Sequence, residues 1–222
     1  MAELSISQRK QFLRNRIRER LRPAGDEAGN ISQQAAPVRK QPAERQEDRS
    51  RYAGTDAALL DNVKKLPTYA AAQTVFCFVG VRQEIDTRRL IERMLAEGKR
   101  VYVPRCGMPG QMEACALHSL SELKKGKFGI PEPDGQAETI AAEELELALL
   151  PCLAVRPDGL RLGQGGGYYD RYLERFRGVS AALCREDFVM EEIPSEPHDR
   201  YVDFIVTERG VRRCSGCDDP GN

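Results

Sequence analysis

The sequence of 222 residues has no tryptophan, two histidines, seven phenylalanines and seven tyrosines. With so few aromatic rings, the chain lacks the stacking surface on which proteins bind single-stranded nucleic acids. Lysine and arginine together number 34, as do aspartate and glutamate, so the formal net charge is zero. A dedicated nucleic-acid-binding protein or a polybasic membrane protein would carry a large positive excess. We therefore expect no nucleic-acid partner.

Long hydrophobic runs are also missing. The longest, Leu147–Val155, is too short to span a bilayer and is interrupted by Pro151. The seven cysteines are odd in number and mostly scattered, and the N-terminus has no apolar stretch of signal-peptide length. These features predict a cytoplasmic protein with reduced thiols and without a membrane partner.

The charge that is present is unevenly distributed, because residues 7–22 carry seven positive side chains and one negative one. Ser5 and Gln8 match a capping box, which marks the start of a helix. We predict a basic N-terminal helix within residues 1–22 that is ended by Pro23. Its apolar and basic stripes both recur every four residues. They comprise an apolar stripe of Leu13, Ile17 and Leu21 and a parallel basic stripe of Lys10, Arg14, Arg18 and Arg22.

The rest of the chain divides into three parts by composition. Residues 23–51 have no periodicity and almost no large apolar side chains, so they bury too little surface to offset the entropy of ordering. We predict a flexible loop or linker there. Residues 52–210 are predicted to form an α/β core, and the polar residues 211–222 a disordered tail.

Within the predicted core, strands and helices alternate. Thr74–Val81 is a buried-strand candidate, Asp86–Glu97 has helical apolar spacing, and Arg100–Pro104 is the next strand candidate. This βαβ order predicts parallel strands with a right-handed crossover. Further strands are predicted at Leu145–Val155, Val179–Cys184 and Asp203–Thr207, with a helix at Tyr168–Phe176. The expected fold is a three-layer α/β single domain with an open, mostly parallel sheet flanked by helices.

The strongest chemical signal is the segment 158–171, D-G-L-R-L-G-Q-G-G-G-Y-Y-D-R, in which five residues are glycine. Glycines between a strand and a helix let backbone amides approach an anion closely. Arg161 and Arg171 are suited to binding phosphate oxygens, and Asp170 is suited to holding a metal ion beside them. The segment has neither the G-K-[ST] of a Walker loop nor a dinucleotide fingerprint. It predicts a phosphate site of another kind.

This segment resembles the signature of the 5-formyltetrahydrofolate cyclo-ligase family, also called 5,10-methenyltetrahydrofolate synthetase. Other segments resemble the family in the same order along residues 7–210, apart from 23–51. They are K-Q-F-L-R at 10–14, E-I-D-T at 84–87, G-K at 98–99, V-P at 103–104, F-G-I-P-E-P at 128–133 and P-H-D at 197–199.

The resemblance implies an enzyme that uses ATP and Mg²⁺ to convert 5-formyltetrahydrofolate to 5,10-methenyltetrahydrofolate, with release of ADP and phosphate through a phosphorylated formyl intermediate. It implies Arg161, Asp170 and Arg171 as catalytic residues, and Asp170 and Asp199 as metal ligands. The implied ATP-binding residues are Lys10, Arg14, Arg161, Leu162, Gly163, Gln164, Gly165, Gly166, Gly167, Tyr168 and Tyr169. The implied folate-binding residues are Val79, Glu84, Gln164, Gly165, Gly166, Gly167 and Tyr168. We expect the enzyme to act as a monomer.

Several positions depart from the family pattern. Val155-Arg156 stands where Phe-Asp is frequent, Gln164 where Arg or Met is common, and Asp187 where Gln is usual. These changes leave the phosphate loop and Asp170 intact. They bear on contacts with the substrate or on affinity for it.

Two other functions fit parts of the sequence. A sugar-phosphate isomerase or CoA-transferase of related α/β fold would use the glycine loop for a different anion, and it needs a further catalytic carboxylate, for which Glu132 is the only loose candidate. A nucleotide-sensing or RNA-associated protein would use the basic helix and would bind nucleic acid with strong salt dependence. The zero net charge and the scarcity of aromatic rings oppose that second alternative.

Overall fold

A computed structural model describes residues 4–22, 51–126 and 129–218. The helices are α1 (Ile6–Arg20), α2 (Ala53–Asn62), α3 (Arg88–Ala96) and α4 (Tyr168–Leu173). The strands are β1 (Thr74–Cys77), β2 (Arg100–Cys106), β3 (Met112–Leu117), β4 (Lys124–Lys125), β5 (Pro131–Glu132), β6 (Thr139–Ile140), β7 (Leu147–Pro151), β8 (Ala154–Val155), β9 (Arg161–Leu162), β10 (Val179–Leu183), β11 (Phe204–Thr207) and β12 (Gly210–Arg213). Short 3₁₀ turns lie at Val63–Lys65, Leu120–Glu122, Ala142–Glu144, Glu186–Phe188 and Ser215–Asp218.

Eight of these strands form one sheet in the order β12-β11-β10-β7-β1-β2-β3-β6. The five central strands from β11 to β2 are parallel, and β12, β3 and β6 pair antiparallel at the two edges. The chain passes from β1 through α3 to the adjacent parallel β2. The predicted open, mostly parallel α/β sheet is therefore confirmed.

The sheet separates two apolar cores, because successive side chains of a strand point to opposite faces. In β1, Val75 and Cys77 belong to the core that α2 and α3 cover. Phe76 belongs to the opposite core, which includes Ile17 of α1, and it stacks on Tyr172 of α4 with ring centroids 5.2 Å apart. Helices therefore cover both faces of the sheet, as the three-layer prediction requires.

Two predicted strands are shorter in the structure. β1 ends at Cys77 because the next carbonyl, that of Phe78, accepts a hydrogen bond from the Thr87 hydroxyl at 2.5 Å rather than continuing the ladder. The predicted strand 145–155 divides at Pro151, which has no N–H to donate to a sheet. The chain leaves the main sheet there and forms the separate β8–β9 hairpin that carries the glycine segment.

The predicted disordered tail is wrong for residues 211–218. Val211 lies in β12, which pairs antiparallel with β11, and Cys214 is buried under the sheet edge. These contacts order the segment, although its polar composition does not suggest order. The predicted linker 23–51 lies, apart from Arg51, outside the described residues, as does 219–222. Among the helices that the structure describes, none is both long and apolar enough to cross a membrane.

Candidate functional site

The glycine segment forms a loop between the β8–β9 hairpin and α4. Arg161 and Leu162 are buried in β9, whereas Gln164 to Gly166 are exposed. Gly167 has a φ of +64° where α4 begins, and Gly165 has a φ of +100°. Residues other than glycine are strained at such backbone angles. The path of the loop therefore depends on glycine at these two positions.

The basic face of α1 lies directly on this loop. Arg14 donates from Nε to the Gly163 carbonyl at 2.9 Å, and Arg18 donates from Nη2 to Oε1 of Gln164 at 2.8 Å. Burial, and then the charge of Arg18, lower the pKa of Arg14. The four-residue spacing therefore predicted correctly that one face of α1 is basic, and the structure places that face against the predicted phosphate loop.

Lys10, one turn before Arg14, fixes the same helix to a different segment. Its Nζ lies 2.6 Å from Oδ2 and 2.7 Å from Oδ1 of Asp199, and 2.9 Å from Oε2 of Glu196. The side chains of Lys10 and Asp199 are only 7% and 9% exposed, so water screens this ion pair weakly. Sequence reasoning did not find Glu196, although it lies directly before the P-H-D segment.

Arg161 and Asp170 form a second ion pair at the base of the loop. Arg161 is 5% exposed and donates from Nη2 to Oδ1 of Asp170 at 2.9 Å. Its guanidinium lies over the ring of Tyr169, 5.5 Å from the centroid. The Nε of Arg161 is buried and has no hydrogen-bond partner among the described residues. A buried donor of this kind is normally satisfied, so it marks a place where a ligand would improve the hydrogen bonding.

Arg171 links the glycine loop to the turn between β2 and β3. It donates from Nε to the Gly110 carbonyl at 2.9 Å and from Nη2 to the Gly166 carbonyl at 2.6 Å. Its guanidinium also lies 5.9 Å from the ring centroid of Tyr168. These contacts bring the turn between β2 and β3 against the glycine loop and leave an open groove between them. The groove is lined by Pro109, Gly110, Gln111, Gly166, Tyr168 and Arg171.

Glu84 meets the loop from the carboxyl end of β1. Its carboxylate accepts a hydrogen bond from Val81 N at 3.1 Å, and the nearby Gln164 side chain favours its charged form. Burial raises the pKa of Glu84 above its ordinary value, and burial together with the nearby Glu84 charge raises the pKa of Tyr169. Val79 is 2% exposed and packs in the core that α2 and α3 cover. The predicted folate carboxylate therefore lies near Gln164 of the predicted phosphate loop.

The two predicted metal ligands, Asp170 and Asp199, differ in how many hydrogen bonds their carboxylate oxygens accept from the protein. Both oxygens of Asp199 accept from Lys10, and Oδ2 also accepts from Glu196 N at 2.6 Å. Asp170 uses Oδ1 for Arg161 and Arg200 N, whereas its Oδ2 has no partner in the described part of the chain. Carboxylate oxygen is the ligand that Mg²⁺ prefers. The Asp170 carboxylate is therefore suited to coordinating a magnesium ion. Asp199 could coordinate one only if Lys10 moved away from its oxygens.

The residues singled out for other chemistries have contacts of their own. Glu132 is buried, and its Oε1 accepts from Cys106 N at 3.1 Å at the end of β2. This bond gives the carboxylate a structural role. His198 is exposed, and its Nε2 lies 3.8 Å from Oε2 of Glu196. Neither residue forms a nucleophile–base pair that would favour a different reaction.

Replacing Gly165 with alanine tests the loop geometry. A Cβ there would lie 3.3 Å from Cζ of Arg14 and would require a strained φ. We expect Gly165→Ala to raise the KM for ATP about tenfold and to lower the free energy of unfolding by about 1–2 kcal/mol. Gly54→Ala is the control, since nothing lies within 4 Å of that Cβ. Unchanged ATP kinetics in Gly165→Ala would refute the contact between loop and helix.

Comparison with known proteins shows which family the chain belongs to. The model of the 5-formyltetrahydrofolate cyclo-ligase family matches residues 6–208. The 5-formyltetrahydrofolate cyclo-ligase of Mycolicibacterium smegmatis is 34% identical over 152 residues, which cover 64% of this chain and 77% of that protein. The protein of the same name from Escherichia coli K12 is 30% identical over 151 residues, covering 65% and 83%.

Solved structures agree as well. The NMR structure of Aquifex aeolicus 5,10-methenyltetrahydrofolate synthetase superposes with a TM-score of 0.70 at 27% identity, covering 93% of each chain. The Mycoplasma pneumoniae 5,10-methenyltetrahydrofolate synthetase shares the fold, with a TM-score of 0.62 at 15% identity over 90% of this chain and 98% of that one. The match of the family model across the whole described core is decisive, and this chain belongs to the 5-formyltetrahydrofolate cyclo-ligase family.

Proposed function

We propose that this chain converts 5-formyltetrahydrofolate and ATP to 5,10-methenyltetrahydrofolate, ADP and phosphate, with Mg²⁺. The observation that carries the proposal is the docking of the basic face of α1 on the glycine loop. Arg14 and Arg18 bond to that loop, and the buried Arg161 lies at its base with an Nε–H that has no partner among the described residues. Several guanidinium groups around exposed glycine amides are suited to a polyphosphate.

The first step joins the two substrates. The formyl oxygen attacks the γ-phosphorus of ATP, an O–P bond forms, and the bond from the γ-phosphorus to the bridging oxygen breaks as ADP leaves. Charge spreads over the phosphoryl oxygens in the transition state, so catalysis depends on positioning and on nearby positive charge. Arg161, fixed by Asp170, and Arg171, fixed by two carbonyls, provide that charge on side chains that are already oriented.

The second step closes the ring. N10 of the folate attacks the former formyl carbon, which the phosphoryl group has made electrophilic. The C–O bond then breaks, so phosphate leaves with the formyl oxygen and N10 loses its proton. Water must be kept from the activated carbon after the first step, until N10 attacks it. The proximity of Glu84 to Gln164 of the glycine loop supports a folate region that lies beside the phosphate region.

The pterin end of the folate is assigned to Glu84. A carboxylate accepts two hydrogen bonds at once, which suits the amino group and ring N–H of a pterin. Burial that raises the pKa of Glu84 also makes hydrogen bonds to it stronger than they are in water. Asp170, with one oxygen that no described residue contacts by a hydrogen bond, would hold the magnesium ion, which neutralises charge on the phosphates when bound.

The raised pKa of Glu84 gives the enzyme a defined pH dependence. The ionised carboxylate binds the pterin donors, so affinity is lost as the pH falls through the pKa of Glu84. Because burial raises that pKa, the loss begins at a higher pH than for an exposed glutamate. We expect kcat/KM for 5-formyltetrahydrofolate to fall on the acid side, and Glu84→Gln to give a lower value without this acid limb. A Glu84→Gln profile that matches the wild-type profile would contradict the assignment.

The reaction itself is tested by absorbance. The purified full chain is incubated with 5-formyltetrahydrofolate, ATP and Mg²⁺, and formation of the methenyl product is followed in the near ultraviolet. We expect product only when ATP is present, and loss of product when the metal is removed with a chelator and restored by added Mg²⁺. Folded protein that forms no product with all three components would refute the proposed function.

A further inference from the structure

Arg185 is a buried arginine that lies directly after β10 and outside every predicted site. It is 7% exposed, and its guanidinium binds Asp56 of α2 with two hydrogen bonds, Nε to Oδ1 at 2.7 Å and Nη2 to Oδ2 at 2.9 Å. The same guanidinium lies 4.2 Å from the ring centroid of Tyr52. The side chain is therefore fixed in position by a fork-shaped ion pair and by an aromatic ring.

The third guanidinium nitrogen of Arg185, Nη1, reaches the segment that carries Glu84. Nη1 donates to the Gln83 carbonyl at 3.1 Å. That carbonyl shares one planar peptide with the N–H of Glu84, which donates to the Val81 carbonyl at 3.0 Å. Both polar groups of the peptide between Gln83 and Glu84 are therefore hydrogen-bonded. Arg185 binds its carbonyl, and the Val81 carbonyl accepts from its N–H.

The turn needs this support because its backbone is strained. Arg82, directly before Gln83, has a φ of +54° and is the one non-glycine residue with a positive φ in the described part of the chain. Such a conformation is unfavourable for a residue with a side chain and persists only where surrounding contacts enforce it. The hydrogen bond from Arg185 to the next residue is a contact of that kind.

A cavity of about 240 Å³ lies at this junction. Arg185 and Glu84 both line it, together with Tyr52 and Asp56. We propose that Arg185 is a positioning residue for the reduced folate, which holds the Gln83–Glu84 peptide, and through it the Glu84 carboxylate, in the orientation that binds the substrate. This inference rests on the proposed function, because it assigns Arg185 to the folate half of that site and not to the ATP half.

The test separates folate affinity from ATP use. Arg185→Met removes all three hydrogen bonds, and we expect it to raise the Kd for 5-formyltetrahydrofolate, measured without ATP or metal, about tenfold or more. The KM for folate rises with it, whereas the KM for ATP stays within about twofold of the wild-type value. Arg93→Met is the matched control, since Arg93 also pairs with α2, through Asp61 at 2.9 Å, but does not touch the Glu84 turn.

Two further variants keep the inference testable if Arg185→Met does not fold. Arg185→Lys has one ammonium in place of the fork, so it cannot hold both Asp56 and the Gln83 carbonyl, and an intermediate Kd is expected. Asp56→Asn weakens the ion pair that fixes Arg185 but leaves the bond to the Gln83 carbonyl in place, so we expect a smaller rise in Kd than in Arg185→Met. Wild-type folate affinity in both Arg185 variants, or an equal loss of ATP and folate affinity, would overturn the inference. Wild-type enzyme that makes no product would refute the proposed function itself.

Discussion

Asp170→Asn is expected to lower kcat by about a thousandfold while leaving the fold intact. The Asn side chain has the same shape, and its oxygen still accepts from Nη2 of Arg161, which lies 2.9 Å from Oδ1 of Asp170. What disappears is the negative charge that orients Arg161 and that fits a magnesium ion. Turnover at saturating ATP and folate, compared with the free energy of unfolding, measures the effect.

The same hairpin supplies a control for this substitution. Asp158 pairs with Arg156, with Nε of Arg156 2.9 Å from Oδ1, so Asp158→Asn also removes one charge from an arginine–aspartate pair. We expect Asp158→Asn to retain most of the activity because the hydrogen bonds described for this pair go to Leu160 N, the Ile193 carbonyl and the Tyr201 hydroxyl and not to residues 163–167. Asp170→Asn with wild-type turnover would show that neither the metal nor the orientation of Arg161 depends on this carboxylate.

Lys10→Met is expected to lower the free energy of unfolding by about 3–5 kcal/mol, the largest stability effect that we predict. Lys10 Nζ lies 2.6 Å from Asp199 and 2.9 Å from Glu196, and both Lys10 and Asp199 are nearly buried. Removing the ammonium leaves two neighbouring carboxylates without their counter-ion, which costs more than the ion pair itself contributes. Urea denaturation measures the loss, and hydrogen exchange in α1 shows where it arises.

Two companion variants identify the cause of that loss. Arg9→Met removes an exposed charge from the adjacent position of α1 and is expected to change stability by less than about 0.5 kcal/mol. Lys10→Met combined with Asp199→Asn is expected to recover part of the lost stability, because one uncompensated charge is then absent. A double variant no more stable than Lys10→Met alone would show that the charge on Asp199 is not the cause.

The spacing of basic residues revealed the face of α1 but not all of its partners. Lys10, Arg14 and Arg18 recur every fourth residue, and a helix must place such residues on one side. The family resemblance assigned Lys10 to ATP and Asp199 to a metal. In the structure these two side chains bind each other, because the fold joins segments that are 189 residues apart in sequence. Local periodicity contains no information about such a pairing.

The glycine loop and the core followed from local signals, whereas the support of Glu84 did not. Five glycines before Tyr168 marked an unusual turn from composition alone, and the apolar spacing predicted α3 and the central strands. Arg185 looked like any charged residue after a strand. Its partner Asp56 is 129 residues away, so its role emerges only when parallel strands bring their carboxyl ends to one edge of the sheet.

The fate of the formyl oxygen tests the proposed reaction most directly. 5-Formyltetrahydrofolate labelled with ¹⁸O in the formyl group is incubated with the enzyme, ATP and Mg²⁺, and the released phosphate is analysed by mass spectrometry. Attack of the formyl oxygen on the γ-phosphorus, followed by loss of phosphate from the carbon, transfers the label to phosphate. We expect one labelled oxygen in each phosphate released with methenyl product. Methenyl product accompanied by unlabelled phosphate would contradict the phosphorylated formyl intermediate.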